Sequence, residues 1–295
     1  MVITLAKETP ILDEQDITEA LRTENIEIDL LITAIKEKLG YDLSGYARAS
    51  IKRRIKQLVI DENVKSISEL IPKLLYSAQC QANFINRLTV NISELFRHPT
   101  SFLSLRESVL PYLESFPRRD IWIAGCATGE EAYSMAILLE EAGLLKNTQI
   151  HATDINTDVL KQAKTGVLTK ALNKEDATRY QASGGTSSLS NYFSTAYNKH
   201  KLSQHLLDHI SFSHHNILQD KVFCSAQLVM CRNVMIYFDL NTQNNALTLF
   251  HNSLVQNGYL VIGEKESLLN SPLINLLKTI DEPAKIYQRK SSEHV

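Results

Sequence analysis

The chain has 295 residues, with 31 Lys and Arg against 33 Asp and Glu and a formal net charge of −2. That balance gives no global pull toward nucleic acid or a membrane surface, and 44% hydrophobic with 22% charged residues is ordinary for a globular protein with room for two domains. The apolar runs are far shorter than the ~20 residues of a spanning helix. The N-terminus is read as no signal peptide, and four scattered cysteines without a C-x-x-C read as reduced thiols in a cytoplasmic protein.

Residues 1–26 are acidic and weakly patterned, which predicts a tail or a short docking helix. Residues 27–90 read as helices. Ile28, Leu31, Ile32 and Ile35 recur at helical spacing. A basic helix follows in LSGYARASIKRRIKQLVI, with Ser44 as its expected cap, then SISELIPKLL with Ser66 or Ser68 as cap, and CQANFINRLTV. With no convincing strand, this is a small all-helical domain. Residues 91–117 form a linker and connecting helix.

From 118 to 295 strands and helices alternate. Strands are predicted at 120–124, 149–153, 209–213, 226–231, 258–263 and 284–289, and helices at 130–143, 156–164 and 241–256. The alternation predicts an α/β, mainly parallel, doubly wound Rossmann-like sheet. The Ser-, Gly- and Tyr-rich stretch about 181–208 interrupts it, as a loop or a small inserted β-subdomain near the site. Neither His205 and His209 nor the pair His214 and His215 forms a metal signature, so no metal is expected.

The most informative segment is IWIAGCATGEEAY at 121–133, followed by IHATD at 150–154. It reads as strand, turn and helix, then a second strand ending on Asp154. Gly125, Ala127 and Gly129 keep side chains off a backbone that must approach a ligand closely. The Asp154 carboxylate can take both hydroxyls of a ribose. The turn is not G-x-G-x-x-G, and Glu130 and Glu131 follow it at once. Those acids repel a pyrophosphate, which wants a bare helix N-terminus. They suit a cofactor with a sulfonium and an ammonium group, which points to S-adenosylmethionine (SAM) rather than NAD.

Three further segments are LTVNISELFRHPTSF at 88–102, SFSHHNILQD at 211–220 and MCRNVMIYFD at 230–239. Asp154, Asn216, Arg232 and Asn233 all fall at carboxyl ends of predicted strands, where open parallel sheets bind ligands. With these segments the chain resembles the CheR-type chemotaxis receptor methyltransferases, which use SAM to methylate receptor glutamates. TGEEAYSMAI at 128–137, VNISELFR at 90–97, CRNVMIYF at 231–238 and GYLVIGEKESL at 258–268 carry the resemblance, in the right order.

The resemblance implies a helical domain joined to a SAM-binding α/β domain with an inserted antiparallel β-subdomain. It places Asn91, Ser93 and Arg97 over the cofactor, Glu131 on its methionine part and Asp154 on its ribose. Asn216 and Ile217 would flank the adenine, while Gly125, Cys231 and Arg232 complete the cofactor site. Arg232 and Tyr237 would be catalytic, facing the methyl group and the incoming carboxylate. Ser93 and Leu95 stand where the family usually has Thr and Phe; Ser keeps a hydroxyl, and Leu95 removes an aromatic wall.

The chemistry needs no strong base. A glutamate with pKa about 4.3 is already ionised at pH 7, and aligning carboxylate, methyl and sulfur can supply roughly 7–11 kcal/mol. Arg232 is expected to hold one acceptor oxygen by a charge-assisted hydrogen bond, with the Tyr237 hydroxyl orienting the same group.

The basic helix brings Arg48, Lys52, Arg53, Arg54 and Lys56 within three turns. A solvated face is one reading. A docking surface for acidic helices of a chemoreceptor-type signalling protein is the other, carried by Lys52, Arg53 and Arg54. No stacking aromatics are interleaved with these charges, so nucleic acid is not expected. Nor is membrane insertion, and the chain is taken as a monomer. The alternatives are a non-catalytic SAM-binding adaptor and a methyltransferase for another acceptor.

Overall fold

The computed structural model describes residues 14–89 and 93–291. The chain divides into two compact units between Leu88 and Thr89.

The first unit is helical: α1 (Glu14–Leu39), α2 (Arg48–Asp61), α3 (Leu70–Tyr76) and α4 (Ala78–Leu88). Ile28, Leu31 and Ile35 of α1, one face at helical spacing, are fully buried against Ile51, Ile55 and Leu58 of α2 and Leu70 and Leu74 of α3. The expected tail is corrected in part. Residues 14–26 are the first half of α1, one unbroken helix of 26 residues, and residues 1–13 lie outside the described residues. The caps also differ. Ala47, not Ser44, precedes α2 and makes no side-chain cap bond. Ser44 instead gives its N–H to Asp42 in a local turn at 2.9 Å. Glu69 precedes α3, and Ser66 Oγ accepts its N–H at 3.4 Å.

The second unit opens with α5 (Pro99–Ser104), one π-turn at Leu105–Val109, and α6 (Leu110–Glu114). Pro111 has no N–H to give to the preceding turn, which suits a widened helix at this point. Strand β1 (Arg119–Ala124), α7 (Glu130–Glu141), β2 (Thr148–Asp154) and α8 (Thr157–Lys164) follow. Next come α9 (Lys174–Ala182), the hairpin β3 (Phe193–Ala196) and β4 (Lys199–Leu202), and the short α10 (Gln204–Leu207). Strands β5 (Ile210–His214) and β6 (Ala226–Cys231), α11 (Leu240–Ser253), β7 (Leu254–Ile262), β8 (Leu277–Asp281) and β9 (Ile286–Arg289) complete the unit.

The main sheet has the order β5-β2-β1-β6-β7-β9-β8. Its first five strands are parallel, and β9 runs antiparallel to both β7 and β8. Strands β1 and β6 are mostly apolar and buried almost throughout, as parallel strands covered on both faces must be. The chain steps outward from β1 to β2 and β5, then returns to β6 on the other side of β1. The order reverses between β1 and β6, and their carboxyl ends flank the crevice that results.

The insertion forms a separate two-stranded antiparallel sheet. Glu141, at the end of α7, anchors it. Its carboxylate accepts from Tyr192 Oη at 2.9 Å, from Thr186 N and Oγ1 at 3.0 Å each, and also from Tyr180 Oη and Arg106.

Candidate active site

The site begins in the turn after β1. The N–H groups of Gly125 and Cys126 both donate to Thr153 O, at 2.8 and 2.9 Å. Ala127 N–H donates to Asp154 Oδ2 at 2.9 Å. Gly125 has φ +83°, and a β-carbon there would overlap the Val234 side chain. Glycine is thus required by conformation and by close approach of the chain leaving β6. Ala127 is left-handed too, with φ +46°. A non-glycine residue so held costs about 1–3 kcal/mol and is found where function over-determines it.

Asp154 ends β2 and is 8% exposed. Its second oxygen accepts from Asn156 N–H at 2.9 Å. Burial pushes its carboxyl above the ordinary value, and the N–H groups of Asn156 and Ala127 pull it back. Asn156 caps α8 and reaches Thr89 Oγ1 at 2.9 Å. The His215 N–H donates to Asp154 O at 3.1 Å, which brings the turn after β5 to the same place.

Across the crevice, Arg232 leaves β6 with a side chain 1% exposed. Its Nη1 donates to Glu131 Oε2 at 3.0 Å and its Nη2 to Arg97 O at 2.7 Å, and the guanidinium lies 5.3 Å from the Phe102 ring centroid. Its Nε is buried and meets no acceptor among the described residues. Burial raises the Glu131 carboxyl, against the pull of Arg232 and Arg97. Glu130 belongs to the scaffold instead: it takes Thr128 Oγ1 at 2.5 Å and Thr169 Oγ1 at 3.3 Å.

The residues 93–98 are pinned as well. Phe96 has φ +50°, its N–H donates to Ser134 Oγ at 2.9 Å, and its ring packs edge-on to Phe102 and Tyr180, with centroids 5.2 Å away. His98 has φ +55° and lies 2.8 Å from Glu264 Oε1 through Nδ1.

Comparison with known proteins decides what this crevice is. The family described as CheR methyltransferase, SAM binding domain, matches residues 91–281, and the CheR methyltransferase all-alpha domain matches residues 26–89. The chain belongs to the CheR methyltransferase family. Cher3 of Pseudomonas putida KT2440, provisionally named a methyltransferase, is 41% identical over 268 residues, 91% of this chain and 98% of that one. The chemotaxis protein methyltransferase of Listeria monocytogenes is 30% identical over 243 residues, covering 80% and 88%. That of Salmonella typhimurium is 29% identical over 272 residues, covering 86% and 88%. The N-methyltransferase NodS of Bradyrhizobium japonicum, solved with S-adenosylhomocysteine, has a TM-score of 0.38 and 14% identity over 68% of this chain and 90% of that one.

This CheR-family chain is a SAM-dependent methyltransferase, and its crevice fits that cofactor. An oriented carboxylate ends β2, a glycine turn faces it, a buried acid stands on α7, and Arg232 keeps a buried N–H without an acceptor. No helix among the described residues is long and apolar enough to cross a membrane.

The structure brings Gly125 to Asp154, and Arg97 and Glu131 to Arg232. Asn91 lies outside the described residues, and Ser93 is half-buried. Asn216 is buried in its own turn: its Oδ1 takes Leu218 N–H at 3.0 Å, and its Nδ2 donates to Gln219 Oε1 at 2.9 Å. Ile217 beside it is half-buried. Cys231 is wholly buried, with its thiol pushed well above the ordinary value. What it can offer a ligand is main chain, not sulfur. Leu95, which stands where the family usually has Phe, is 2% exposed in the core.

Arg232, expected to face the methyl group and the acceptor, is held in a buried place by Glu131, Arg97 O and the Phe102 ring. Tyr237 is half-buried at the end of a single turn, Met235–Tyr237.

Glu266 was missed by sequence reasoning. It is 6% exposed and accepts N–H groups from Asn233 at 3.3 Å, Val234 at 3.0 Å, Met235 at 2.8 Å, and Gly263. A glutamate three residues after Gly263, just past a buried strand, was the available signal.

In the helical unit the docking residues separate. Arg53 is exposed. Lys52 and Lys56 both pair with Glu24 of α1, at 2.5 and 2.7 Å, and Arg48 pairs with Asp29. Arg54 is corrected: it is 6% exposed and donates to the Leu88 carbonyl, so it closes the helical core rather than lining a surface.

Proposed function

We propose that the chain transfers the methyl group of SAM to glutamate side chains of a chemoreceptor-type signalling protein, forming glutamate methyl esters. The observation that carries this reading is the match of both units to CheR methyltransferase domains, over residues 26–89 and 91–281. The cations Arg97 and Arg232 both act on His98 and on Glu131. Burial lowers His98 and the two arginines lower it further, against the opposing pull of Glu264. The relatives named chemotaxis protein methyltransferases support the sensory pathway.

Bound SAM supplies a methyl group activated by its sulfonium. The protein's task is to bind, orient and exclude water. Asp154 holds the ribose with the lone pairs its backbone donors leave, and Asn216 and Ile217 bound the adenine. Glu131 meets the methionine ammonium. Ser93 and Arg97 close over the cofactor. Arg232 fixes Glu131 and Arg97 and offers its Nε–H to the cofactor's carboxylate. Tyr237 orients the acceptor carboxylate, and Arg53, with Lys52, steers the receptor's cytoplasmic helices.

The test is transfer from methyl-labelled SAM to receptor-bearing membranes of the source organism, followed by mild alkali. Label that joins a receptor-sized band and leaves as methanol is the expected result. Label that survives alkali overturns the carboxylate acceptor, and SAM binding without transfer overturns the enzyme reading.

A further inference from the structure

Glu266 is not among the residues assigned above to the cofactor, yet its buried carboxylate is fully satisfied. Four backbone N–H groups converge on it: Gly263 from the end of β7, and Asn233, Val234 and Met235 in succession from the chain leaving β6. A carboxylate has about four lone-pair sites and no donor when ionised, so this set fills it. Burial raises its carboxyl, and the four N–H groups oppose that rise. The neighbouring backbone is shaped for the contact. Asn233 is left-handed, with φ +61°. A β-carbon on Gly263 would lie 2.7 Å from Asn233 N and 2.8 Å from Glu266 Oε2.

The three residues held from β6 lie between Arg232 and Tyr237. Arg232 faces Glu131 on the cofactor side. Tyr237 closes the single turn that begins at Met235, with its N–H on Val234 O at 3.3 Å. Val234 is also the side chain that Gly125 makes room for. One buried anion thus sets the path of the segment that carries both residues.

We propose that Glu266 is a positioning residue for methyl transfer: by gathering the N–H groups of Asn233, Val234 and Met235 it sets the turn that aims Tyr237 at the acceptor. This rests on the reading of Tyr237 as the acceptor-orienting group. Glutamine at 266 keeps the size but replaces one oxygen with an amide N–H₂ that meets N–H donors head-on. Aspartate keeps the charge and shortens the reach. A displacement of the order of 1 Å in a positioning group can lower the rate about 10²-fold.

The experiment compares Glu266→Gln, Glu266→Asp, Tyr237→Phe and the double variant Glu266→Gln/Tyr237→Phe. Each is assayed with methyl-labelled SAM on receptor-bearing membranes, with S-adenosylhomocysteine affinity and thermal melting measured alongside. The expected result is a loss of kcat of about 10²-fold in Glu266→Gln, with folding retained and S-adenosylhomocysteine affinity within about threefold, and a partial return in Glu266→Asp. The double variant falls no further than the worse single, because both changes remove one alignment. Losses that multiply, or a loss of cofactor affinity equal to the loss of kcat, overturn the proposal. A Tyr237→Phe variant with wild-type transfer refutes the role of Tyr237 and the proposal with it. Label in the wild type that survives alkali refutes only the glutamate reading, because the four rates are compared on one acceptor and still decide the role of Glu266.

Discussion

Arg232 and Glu131 are 101 positions apart in the chain and meet at 3.0 Å, with the arginine side chain 1% exposed. The pair joins the carboxyl end of β6 to the first turn of α7, across the point where the sheet order reverses.

Removing one member of such a pair leaves a buried charge without its partner, which costs about 3–5 kcal/mol. Arg232→Ala is therefore expected to lower thermal stability by that order and to weaken S-adenosylhomocysteine binding. Melting with and without ligand checks both. Arg232→Ala with unchanged melting and affinity, but no transfer, would return Arg232 to the acceptor.

Asp154→Asn should weaken cofactor binding about 10- to 100-fold, the equivalent of about 1–3 kcal/mol for an unsatisfied buried group. The new amide must point its N–H₂ at the N–H of Ala127 or Asn156. Titration with S-adenosylhomocysteine measures the loss, and wild-type affinity would remove Asp154 from the cofactor site.

Gly125→Ala meets both a left-handed φ of +83° and the Val234 side chain. A cost of about 1–3 kcal/mol is expected from the conformation alone. Adding Val234→Ala should restore part of the stability by removing the overlap. A double variant no more stable than the single would show that conformation, not contact, sets the requirement.

The Glu141 anchor gives a pH dependence. Burial pushes its carboxyl up, but Tyr180, Thr186 and Arg106 together hold it below the ordinary value. A depressed folded-state pKa contributes stability that is fully present above the unfolded value and is lost as the pH falls through the folded one. The stability difference between wild type and Glu141→Gln should be constant near pH 7 and shrink as the pH is lowered through and below the ordinary carboxylate range. Urea midpoints across that range measure it.

Arg53 and Arg54 adjoin in sequence but should fail differently. Arg53→Glu is expected to slow receptor methylation with S-adenosylhomocysteine affinity and melting unchanged. Arg54→Ala should destabilise the helical unit by about 1.5–3 kcal/mol, the range for a hydrogen bond from a charged donor. Loss of receptor methylation in neither variant would retire the docking face.

The legible parts of the sequence were those with one dominant physical signal. The core strands β1 and β6 carry the apolar runs Ile121–Ala124 and Leu228–Cys231, and their limits came within a residue of 120–124 and 226–231. Strand β8 was invisible because LKTID buries one end and exposes the middle, so neither alternation nor an apolar run marks it. Helix α9 is almost wholly polar and owes its start to the Asn173–Asp176 capping box rather than to an apolar face. In the site, Asp154 and Glu131 declared themselves by position. The commitments of Arg232 to Glu131 and of Glu266 to four N–H groups did not, since both depend on partners that only the folded sheet brings near.

The β3–β4 hairpin turns on Tyr197 and Asn198, both left-handed, with Tyr197 fully exposed. Its strands expose most of their residues, while Phe193 and Leu202 root it in the core. Its tip is therefore free to diverge. Substitutions there leave Phe193, Leu202 and the Glu141 anchor untouched, so descendants of this chain can change what the hairpin displays without rebuilding its root.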